Sequence, residues 1–465
     1  MRYNLKIGDY NSHGQSSLQL IIPLIIILFV LLGLALMIPK LSPTKTLALV
    51  AGMVIFITSF ISTTFALYIL IFSMLLSPEF IVGATGSTSL GRGVTLRLDD
   101  FILAIIGFSW LAKMSINKEL GLFLRTPLNR PIAYYIIICL VSTLLGAIFG
   151  RLQLKTGFFY LLKYFEYMIV YFMVVNHIEN KKQVRNYLWA LIITCTIVSV
   201  IGITQIPGGG RVTAPFEGAQ GEPNTFGGYL ILMISVVIGL FLTTPSFRNQ
   251  LVYFFFILLF TIPLFYTQSR SSYLAIVPAL LTFVFLSEKR VWVIVVLLLI
   301  GTSLPFTAPK PAKERIVYTF TQGRDRMDVF EFGGIKLDTS LSARVKSWEW
   351  ASKDWIKHPF VGFGVTGYRF VDAQYVRVIT ETGFLGLVLF FILIYAIFRQ
   401  AYTVFKETTE SFDRGLSMGF LAGFIGLLFH AIGANTFIIV RIMEPFWFMA
   451  AMVLMIPEIK DEGTG

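Results

Sequence analysis

Three arginines stand beside small or polar residues at the ends of apolar runs. Three consecutive glycines precede Arg211, and the loop that follows ends at Asn224, directly before an apolar run. The turn 267–272, Thr-Gln-Ser-Arg-Ser-Ser, holds Arg270, and Arg344 begins a helix-like stretch. Glycine allows close backbone approach to a ligand, and asparagine is a good N-cap. Since a guanidinium grips phosphate through a fixed fork of donors, these arginines predict a metal-independent phosphate site. Pairing with lipid headgroups is the alternative.

A carboxylate follows at the point where a long polar segment returns to apolar sequence. Asp372 stands there with Gln374, Tyr375 and Arg377 beside it, and Glu381 in the next turns. Burial would raise the pKa of Asp372 toward the range useful for a general base acting on a hydroxyl. Capping of the loop or a salt bridge to Arg377 is the competing interpretation.

Two further pairs of charged residues fall within apolar runs. Lys163 and Glu166 lie three residues apart, as do Arg441 and Glu444. This spacing places each pair on one helix face, where the charges can neutralise each other. We therefore interpret both pairs as structural.

Several kinds of chemistry are disfavoured by the sequence. The four histidines lack metal-ligand spacing, and both cysteines lie in apolar runs, so we expect no metal, no cofactor and no disulfide. The glycines of 362–367, Gly-Phe-Gly-Val-Thr-Gly, match a dinucleotide fingerprint, but the strand and helix that such a site requires are absent around them. We interpret this segment as a tight turn.

The elements that carry these residues are predicted to be transmembrane helices. The chain has 465 residues, of which 56% are hydrophobic and 14% charged, whereas soluble proteins average about 25% charged residues. Long unbroken apolar runs favour an all-α bundle of about 12 to 14 spans over a barrel. The predicted spans are 18–38, 46–60, 62–77, 100–114, 131–149, 157–177, 187–205, 225–243, 251–266, 272–286, 291–305, 378–398, 415–434 and 438–456, with a break between Ser59 and Thr64.

Cationic residues predict the orientation of this bundle. With both termini in the cytoplasm, the inside loops hold sixteen lysines and arginines and the short outside loops hold eight. Three parts follow: a bundle with arginine-bearing outer loops at 1–305, a large extracytoplasmic loop at 306–377, and C-terminal helices at 378–465. The net charge of +12 then reflects inside loops and anionic lipids or phosphates, and nucleic acid is excluded as a partner.

The large loop contains one amphipathic stretch, Ala343 to His358. Val345, Trp348, Ala351 and Trp355 fall at helical spacing on one side of it. Such a helix suits the membrane–water interface, where it would lie flat over the bundle on the outer side. Ordinary packing onto the bundle explains the pattern equally well.

These motifs, and their order along the chain, resemble those of the O-antigen polymerase and ligase superfamily of bacterial envelope glycosyltransferases. The stretch Arg211-Val-Thr-Ala-Pro-Phe with Pro-Asn at 223–224 resembles the family's first arginine loop, and Thr-Gln-Ser-Arg at 267–270 its second. The stretch 342–386, with Arg344, Tyr375 and Glu381-Thr-Gly, resembles its periplasmic loop. The family's ligases usually carry a histidine where this chain has Asp372, which favours a polymerase.

The resemblance implies a site on the outer side of the bacterial inner membrane. Arg211 and Arg270 would hold the diphosphate of a polyprenyl-linked oligosaccharide donor, and Asp372 would deprotonate the acceptor, a second lipid-linked unit. Arg344, Asn224, Tyr375, Arg377 and Glu381 would position sugars or loops. Membrane lipids and a chain-length regulator protein are the other expected partners.

Two alternatives remain. One is a ligase or O-oligosaccharyltransferase that attaches finished polymer to lipid A core or to protein. The other is a flippase for lipid-linked oligosaccharides, which would place its charges near the bilayer midplane on broken helices, often in two related halves.

Overall fold

The computed structural model describes residues 43–82, 94–116, 125–217, 221–321, 330–332, 335–336 and 338–459. The predicted first span at 18–38 lies outside these residues. The chain divides into two compact units, residues 1–63 with 105–122 and residues 64–104 with 123–465. The candidate site residues all belong to the second unit.

The first unit contains helix α1, Pro43–Ile61, and most of helix α3, Leu98–Ile116. The Ser109 hydroxyl donates to the Phe56 carbonyl at 3.3 Å, and the rings of Phe56 and Phe108 lie 6.1 Å apart. Helix α1 ends at Ile61, and the next helix begins at Thr63. The predicted break between Ser59 and Thr64 is thus confirmed.

The second unit holds the remaining helices. They are α2 (Thr63–Leu76), α4 (Asn129–Ile148), α5 (Leu154–His177), α6 (Lys181–Gln205), α7 (Pro223–Thr243), α8 (Phe247–Tyr266), α9 (Arg270–Leu286), α10 (Arg290–Thr307), α11 (Lys310–Thr321), α12 (Thr339–Trp355), α13 (Gln374–Glu407), α14 (Ser411–His430) and α15 (Val440–Met455). Single 3-10 turns lie at Ile206–Gly208 and Thr436–Ile438.

The predicted helical, membrane-embedded class is confirmed. Within the described residues, seven helices are long and apolar enough to cross a bilayer, and four shorter apolar helices accompany them. Two short antiparallel hairpins add to the helices. Strand β1 (Glu79–Val82) pairs with β2 (Val94–Arg97), and β3 (Glu331–Phe332) with β4 (Ile335–Lys336). Such short strands give too little alternation to be recognised among apolar runs.

Helices α7 and α14 form the closest contact in this unit, and glycines make it possible. A Cβ atom on Gly239 would lie 2.2 Å from the Gly415 carbonyl oxygen, and one on Gly419 2.5 Å from the Cα of Val236. Small residues let the backbones of membrane helices approach. The two helices run antiparallel, because Gly423 packs on Leu232 while Gly415 packs on Gly239. The start of α7 therefore lies beside the end of α14.

Helix α12 is the predicted amphipathic helix, displaced by four residues toward the N-terminus. It begins at Thr339 after the N-cap Asp338, so Arg344 lies in its second turn and not at its start. Trp348 and the buried Ala351 pack against Tyr368, Val371 and Ala373 of the returning chain. Ordinary packing thus accounts for its apolar face.

Helix α13 is broken at Gly383, which has a φ of +70°. A Cβ atom there would lie 2.3 Å from the Phe360 carbonyl carbon. The freed amides of Phe384 and Leu385 donate to the carbonyls of Pro359 and Phe360, at 2.7 and 3.2 Å. Only glycine fits this conformation and this space.

The 362–367 segment forms the predicted tight turn. Gly362 and Gly364 have φ values of +68° and +96°. The amides of Phe363 and Gly364 donate to the carbonyls of Thr380 and Glu381, at 2.9 and 2.8 Å. The turn is thereby fastened to α13 just before its break.

Candidate functional site

The two predicted arginine turns lie against each other. Arg211 donates from Nε to the Thr267 carbonyl at 3.0 Å and from Nη2 to the Gln268 carbonyl at 3.2 Å. The amide of Val212 donates to the carbonyl of Tyr266 at 3.0 Å. Gln268 has a φ of +49°, an uncommon value for a residue with a side chain. The first loop thus rests on the second turn, directly before Arg270.

Arg270 begins α9 and forms an ion pair with Asp338, the N-cap of α12. Asp338 also accepts a hydrogen bond from the Leu341 amide at 2.8 Å. Burial alone would raise the pKa of Asp338, but the Arg270 guanidinium and the Leu341 amide lower it overall. Asp338 is therefore an anionic anchor that joins the second arginine turn to α12.

Asn224 is not the N-cap of α7, so that prediction is wrong. The cap is Glu222, because Pro223 occupies the first helical position and Asn224 the second. The Asn224 side-chain oxygen instead accepts a hydrogen bond from the Ser269 hydroxyl at 2.7 Å. Ser269 caps α9 by accepting from the Ser272 amide at 3.2 Å. Asn224 thus ties the start of α7 to the start of α9.

Arg315 on α11 is a fourth arginine of this site that sequence reasoning missed. Burial and the charge of Arg270 lower its pKa, and it also feels Arg344. Partial burial, followed by the charges of Arg315, Arg270 and Arg344, lowers the pKa of Arg211 to about 10. The Nε of Arg315 is buried without a hydrogen-bond partner among the residues that the structure describes. These four arginines are called the arginine cluster below.

Asp372 pairs with Arg344 and not with Arg377. Arg344 Nη2 donates to Asp372 Oδ2 at 2.6 Å. The side chain of Asp372 is 31% exposed, so the predicted burial of this carboxylate is wrong. Asp372 is therefore partly accessible and attached to the arginine cluster.

Hydrogen bonds to α14 hold the segment around Asp372. The Gln374 amide donates to the Ala431 carbonyl at 3.0 Å, and the Asn435 side chain donates to the Val371 carbonyl at 2.8 Å. The Tyr375 hydroxyl donates to the Leu428 carbonyl at 2.6 Å, and its ring stacks on Phe391 at 5.8 Å. The Tyr375 hydroxyl thus serves to fix α13 on α14.

Among the residues that the structure describes, the charge of this arrangement is unbalanced. Arg211, Arg270, Arg315 and Arg344 contribute four positive charges, and Asp338 and Asp372 contribute two negative ones. An anion would relieve the repulsion between the guanidinium groups, and forked donors favour phosphate oxygens. No group of three or more His, Cys, Asp or Glu side chains that could hold a metal occurs within the described ranges. The arrangement thus suits an anion of two charges.

Residues 254–391 match the O-antigen ligase family. The match confirms the predicted superfamily for this part of the chain, which is less than a third of its length. Proteins of this family are glycosyltransferase-like enzymes of membranes. A comparison with curated proteins finds no match. The O-antigen ligase domain contains Arg270, Arg315, Arg344 and Asp372, while Arg211 lies before it.

Arg377 and Glu381 form a buried salt bridge within the O-antigen ligase domain. Arg377 Nε donates to Glu381 Oε1 at 3.0 Å, and both side chains are less than 10% exposed. Glu381 Oε1 also accepts from the Thr366 amide at 3.0 Å, and Arg377 lies over the ring of Tyr160. These contacts fasten the 362–367 turn to α13. They give both residues an internal partner, whereas a substrate contact was expected.

The two charge pairs predicted in apolar runs differ in outcome. Lys163 and Glu166 form the expected pair at 3.3 Å, and Lys163 also contacts Asp100. Arg441 and Glu444 do not pair with each other. Arg441 donates to the Pro215 carbonyl at 2.7 Å and to the Phe216 carbonyl at 3.3 Å. It thereby supports the loop that Arg211 begins.

Proposed function

We propose that this protein polymerises a surface polysaccharide by glycosyl transfer at the outer face of the bacterial cytoplasmic membrane. The donor is a polyprenyl-diphosphate-linked glycan, and the acceptor is the next lipid-linked repeat unit. The reaction inverts the anomeric carbon and uses no metal. The observation that carries the proposal is the excess of two positive charges in the arginine cluster. The diphosphate of such a donor has one negative charge on each phosphate.

The arginine cluster supplies the electrostatic part of the mechanism. As the bond between the sugar and the diphosphate breaks, the leaving group gains negative charge. Arg211 rests on the 267–268 turn directly before Arg270, and the charges of Arg270 and Arg315 both act on Arg211. Fixed guanidinium groups stabilise this charge without having to reorganise, which is the most effective form of electrostatic catalysis.

Asp372 is the proposed general base. Its Oδ2 is held by Arg344, and its exposure leaves the carboxylate open to the acceptor hydroxyl. The ion pair orients the carboxylate beside the cluster that receives the diphosphate. A base fixed at this position takes the hydroxyl proton as the oxygen attacks the anomeric carbon.

The remaining site residues position these groups. Asn224 joins the starts of α7 and α9, Tyr375 joins α13 to α14, and the Arg377–Glu381 pair holds the 362–367 turn.

A ligase or O-oligosaccharyltransferase is the second candidate, since it would use the same donor site and differ only in its acceptor. The family match applies to either activity. The aspartate at position 372, where ligases usually have histidine, favours the polymerase.

The test is polysaccharide length in a bacterial strain that lacks the wild-type protein. Arg211→Ala, Arg270→Ala and Asp372→Asn are each expected to leave single repeat units unpolymerised. Arg248→Ala serves as a matched control, because Arg248 is exposed at the start of α8, the opposite end of that helix from the 267–268 turn. Normal long polymer in all three variants would contradict the proposal. Full-length polymer that is not attached to its acceptor would favour the ligase, and precursor trapped in the cytoplasmic leaflet would favour a flippase.

A further inference from the structure

A second group of charged residues lies apart from the arginine cluster and is not used in the proposed reaction. It joins the β1–β2 hairpin, the start of α3, the middle of α5 and the start of α15. The group is called the acid cluster below. Its members are Arg97, Asp99, Asp100, Lys163, Glu166 and Glu444.

The cations of the acid cluster are already engaged. Arg97 Nε donates to Asp99 Oδ1 at 3.1 Å, and its Nη2 contacts the other oxygen of the same carboxylate. Lys163 contacts Asp100 and lies 3.3 Å from Glu166. The nearest cation to Glu444 is Arg97, at 3.9 Å, which is beyond hydrogen-bonding distance. Four carboxylates thus share two cations.

A further cation, Arg441, acts on Asp99, but its hydrogen bonds and closest ion pairs among the described residues are with other groups. Arg441, also on α15, donates to the carbonyls of Pro215, Phe216 and Ser77. It lies 3.8 Å from two more carboxylates, those of Glu79 and Glu217. From α5, the Tyr167 hydroxyl donates to the Phe437 carbonyl at 3.1 Å. The Nε of Arg441 has no hydrogen-bond partner among the described residues. Because Arg441 brings two further carboxylates with it, the excess of negative charge remains.

Several carboxylate oxygens of the acid cluster are buried without a described donor from which they could accept a hydrogen bond. Among the described residues, both oxygens of Glu444, Oε1 of Glu166 and Oδ1 of Asp100 have no hydrogen-bond partner. Glu444 is fully buried. The carboxyl groups of Asp100 and Glu166 nevertheless lie within hydrogen-bonding reach of each other. Two ionised carboxylates have no hydrogen to share, and each buried unpaired charge is strongly destabilising.

We propose that the acid cluster is a proton-binding site that holds two protons at neutral pH. One proton is shared between Oδ1 of Asp100 and Oε1 of Glu166, and the other is carried by Glu444. Both come from water by reversible protonation, and their uptake makes the number of positive and negative charges in the cluster equal. A bound metal ion fits less well, since no set of three or more metal-ligating side chains is found in the described part of the chain. A shared proton needs only two carboxylate oxygens, here those of Asp100 and Glu166.

The proposal predicts how stability depends on pH. In the unfolded chain these carboxyl groups ionise near pH 4, so at neutral pH the folded protein binds two protons that the unfolded chain does not. Stability must then fall as the pH rises. The full-length protein in detergent is expected to lose thermal stability as the pH rises above neutral, until the cluster releases its protons.

Glutamine variants test the assignment to residues. Glu166→Gln and Glu444→Gln keep the shape and provide a hydrogen that does not titrate, so each is expected to make the melting temperature depend less on pH. Asp99→Asn is the matched control, because both carboxylate oxygens of Asp99 already contact Arg97. It should lower the melting temperature at every pH. The same pH dependence in wild type and in both glutamine variants would overturn the proposal.

Infrared spectroscopy of the wild type keeps the test independent of whether the variants fold. A carbonyl stretch of protonated carboxyl groups, shifted in D2O, is expected at neutral pH and should weaken in Glu166→Gln. Absence of that band in the wild type would overturn the proposal. Stabilisation by sodium chloride over choline chloride, at equal pH and ionic strength, would instead assign the site to a metal cation. Neither measurement uses glycosyl transfer, so the proposed function can fail without affecting this result.

Discussion

Arg344 donates a 2.6 Å hydrogen bond to Asp372, which follows it by 28 positions in the chain. The pair closes the segment from α12 to α13 and places the carboxylate at the edge of the arginine cluster. Arg344 also contributes to the positive charge that acts on Arg211 and Arg315. In the proposed reaction, donor binding and acceptor activation therefore share one residue.

Removal of a guanidinium from the arginine cluster should slow the reaction more than it weakens the fold. Arg211→Ala, Arg270→Ala and Arg315→Ala are each expected to reduce turnover about 100-fold or more, the effect of losing one fixed donor at a developing charge. Turnover of the purified protein with a lipid-linked donor is the measurement. Unchanged turnover in Arg315→Ala would remove Arg315 from the site, and Arg248→Ala should behave as wild type.

An anion with two phosphates should stabilise the protein in the absence of metal. Inorganic diphosphate with a chelator is expected to raise the melting temperature, because it relieves repulsion between guanidinium groups and binds only the folded state. Chloride at the same ionic strength is the control. Arg270→Ala should lose most of the shift, and an equal shift in that variant would place the anion elsewhere.

Substitution of Asp372 distinguishes its proposed role as general base from a role only as the ion-pair partner of Arg344. Asp372→Asn keeps the size and a hydrogen bond to Arg344 but cannot accept the proton, so kcat should fall about 100-fold or more with little change in KM. Asp372→His should recover part of the activity, since an imidazole also accepts a proton. Equal turnover in Asp372→Asn and wild type would show that the carboxylate only holds Arg344.

The Arg377–Glu381 pair should matter for stability. Loss of one partner leaves the other charge buried, so Arg377→Met or Glu381→Gln is expected to cost about 3 to 5 kcal/mol of unfolding free energy. The double variant should cost less than the sum of the two, because it leaves no unpaired charge. Thermal or denaturant unfolding in detergent checks this, and additive losses would contradict a direct pairing.

Glu217, in the loop that Arg211 begins, should give the protein a second pH dependence. Burial raises the pKa of Glu217 to about 8, although Arg441 opposes the rise. The folded protein then binds a proton that the unfolded chain has lost above about pH 4. Stability should therefore fall as the pH rises toward about 8 and level off above it. In Glu217→Gln, the melting temperature should depend less on pH below about 8. The same pH dependence as in wild type would contradict the prediction.

The arginine turns were predictable because each signal is local. Glycines, a short polar turn and an arginine identify 208–211 and 267–272 without knowledge of their partners. Arg315 has no such turn beside it, and it lies in a segment with eleven other cationic residues. Its one signal was helical spacing, which places Arg315 on the same face as the buried Ala312 and Thr319.

Partners across the chain could not be predicted in the same way. Spacing suggested that Arg441 pairs with Glu444, but three backbone carbonyls from distant segments compete for the same guanidinium. Likewise, closeness in sequence suggested that Asp372 pairs with Arg377. The packing of α12 on residues 368–373 instead brings Arg344 into contact with Asp372. The helical class and the break near Ser62 were predictable, since they depend only on apolar length and local polarity.

Gly383 divides α13 into a short first part and a long apolar one, and the carbonyls of Pro359 and Phe360 fill the division. The short part follows Asp372 without a flexible linker. Its hydrogen bonds to Leu428 of α14 and to Ala431 fix its position. The depth at which the apolar part rests in the bilayer therefore sets the height of Asp372 relative to the lipid headgroups. In the proposed reaction, the thickness of the membrane is then part of the geometry in which the acceptor hydroxyl meets Asp372.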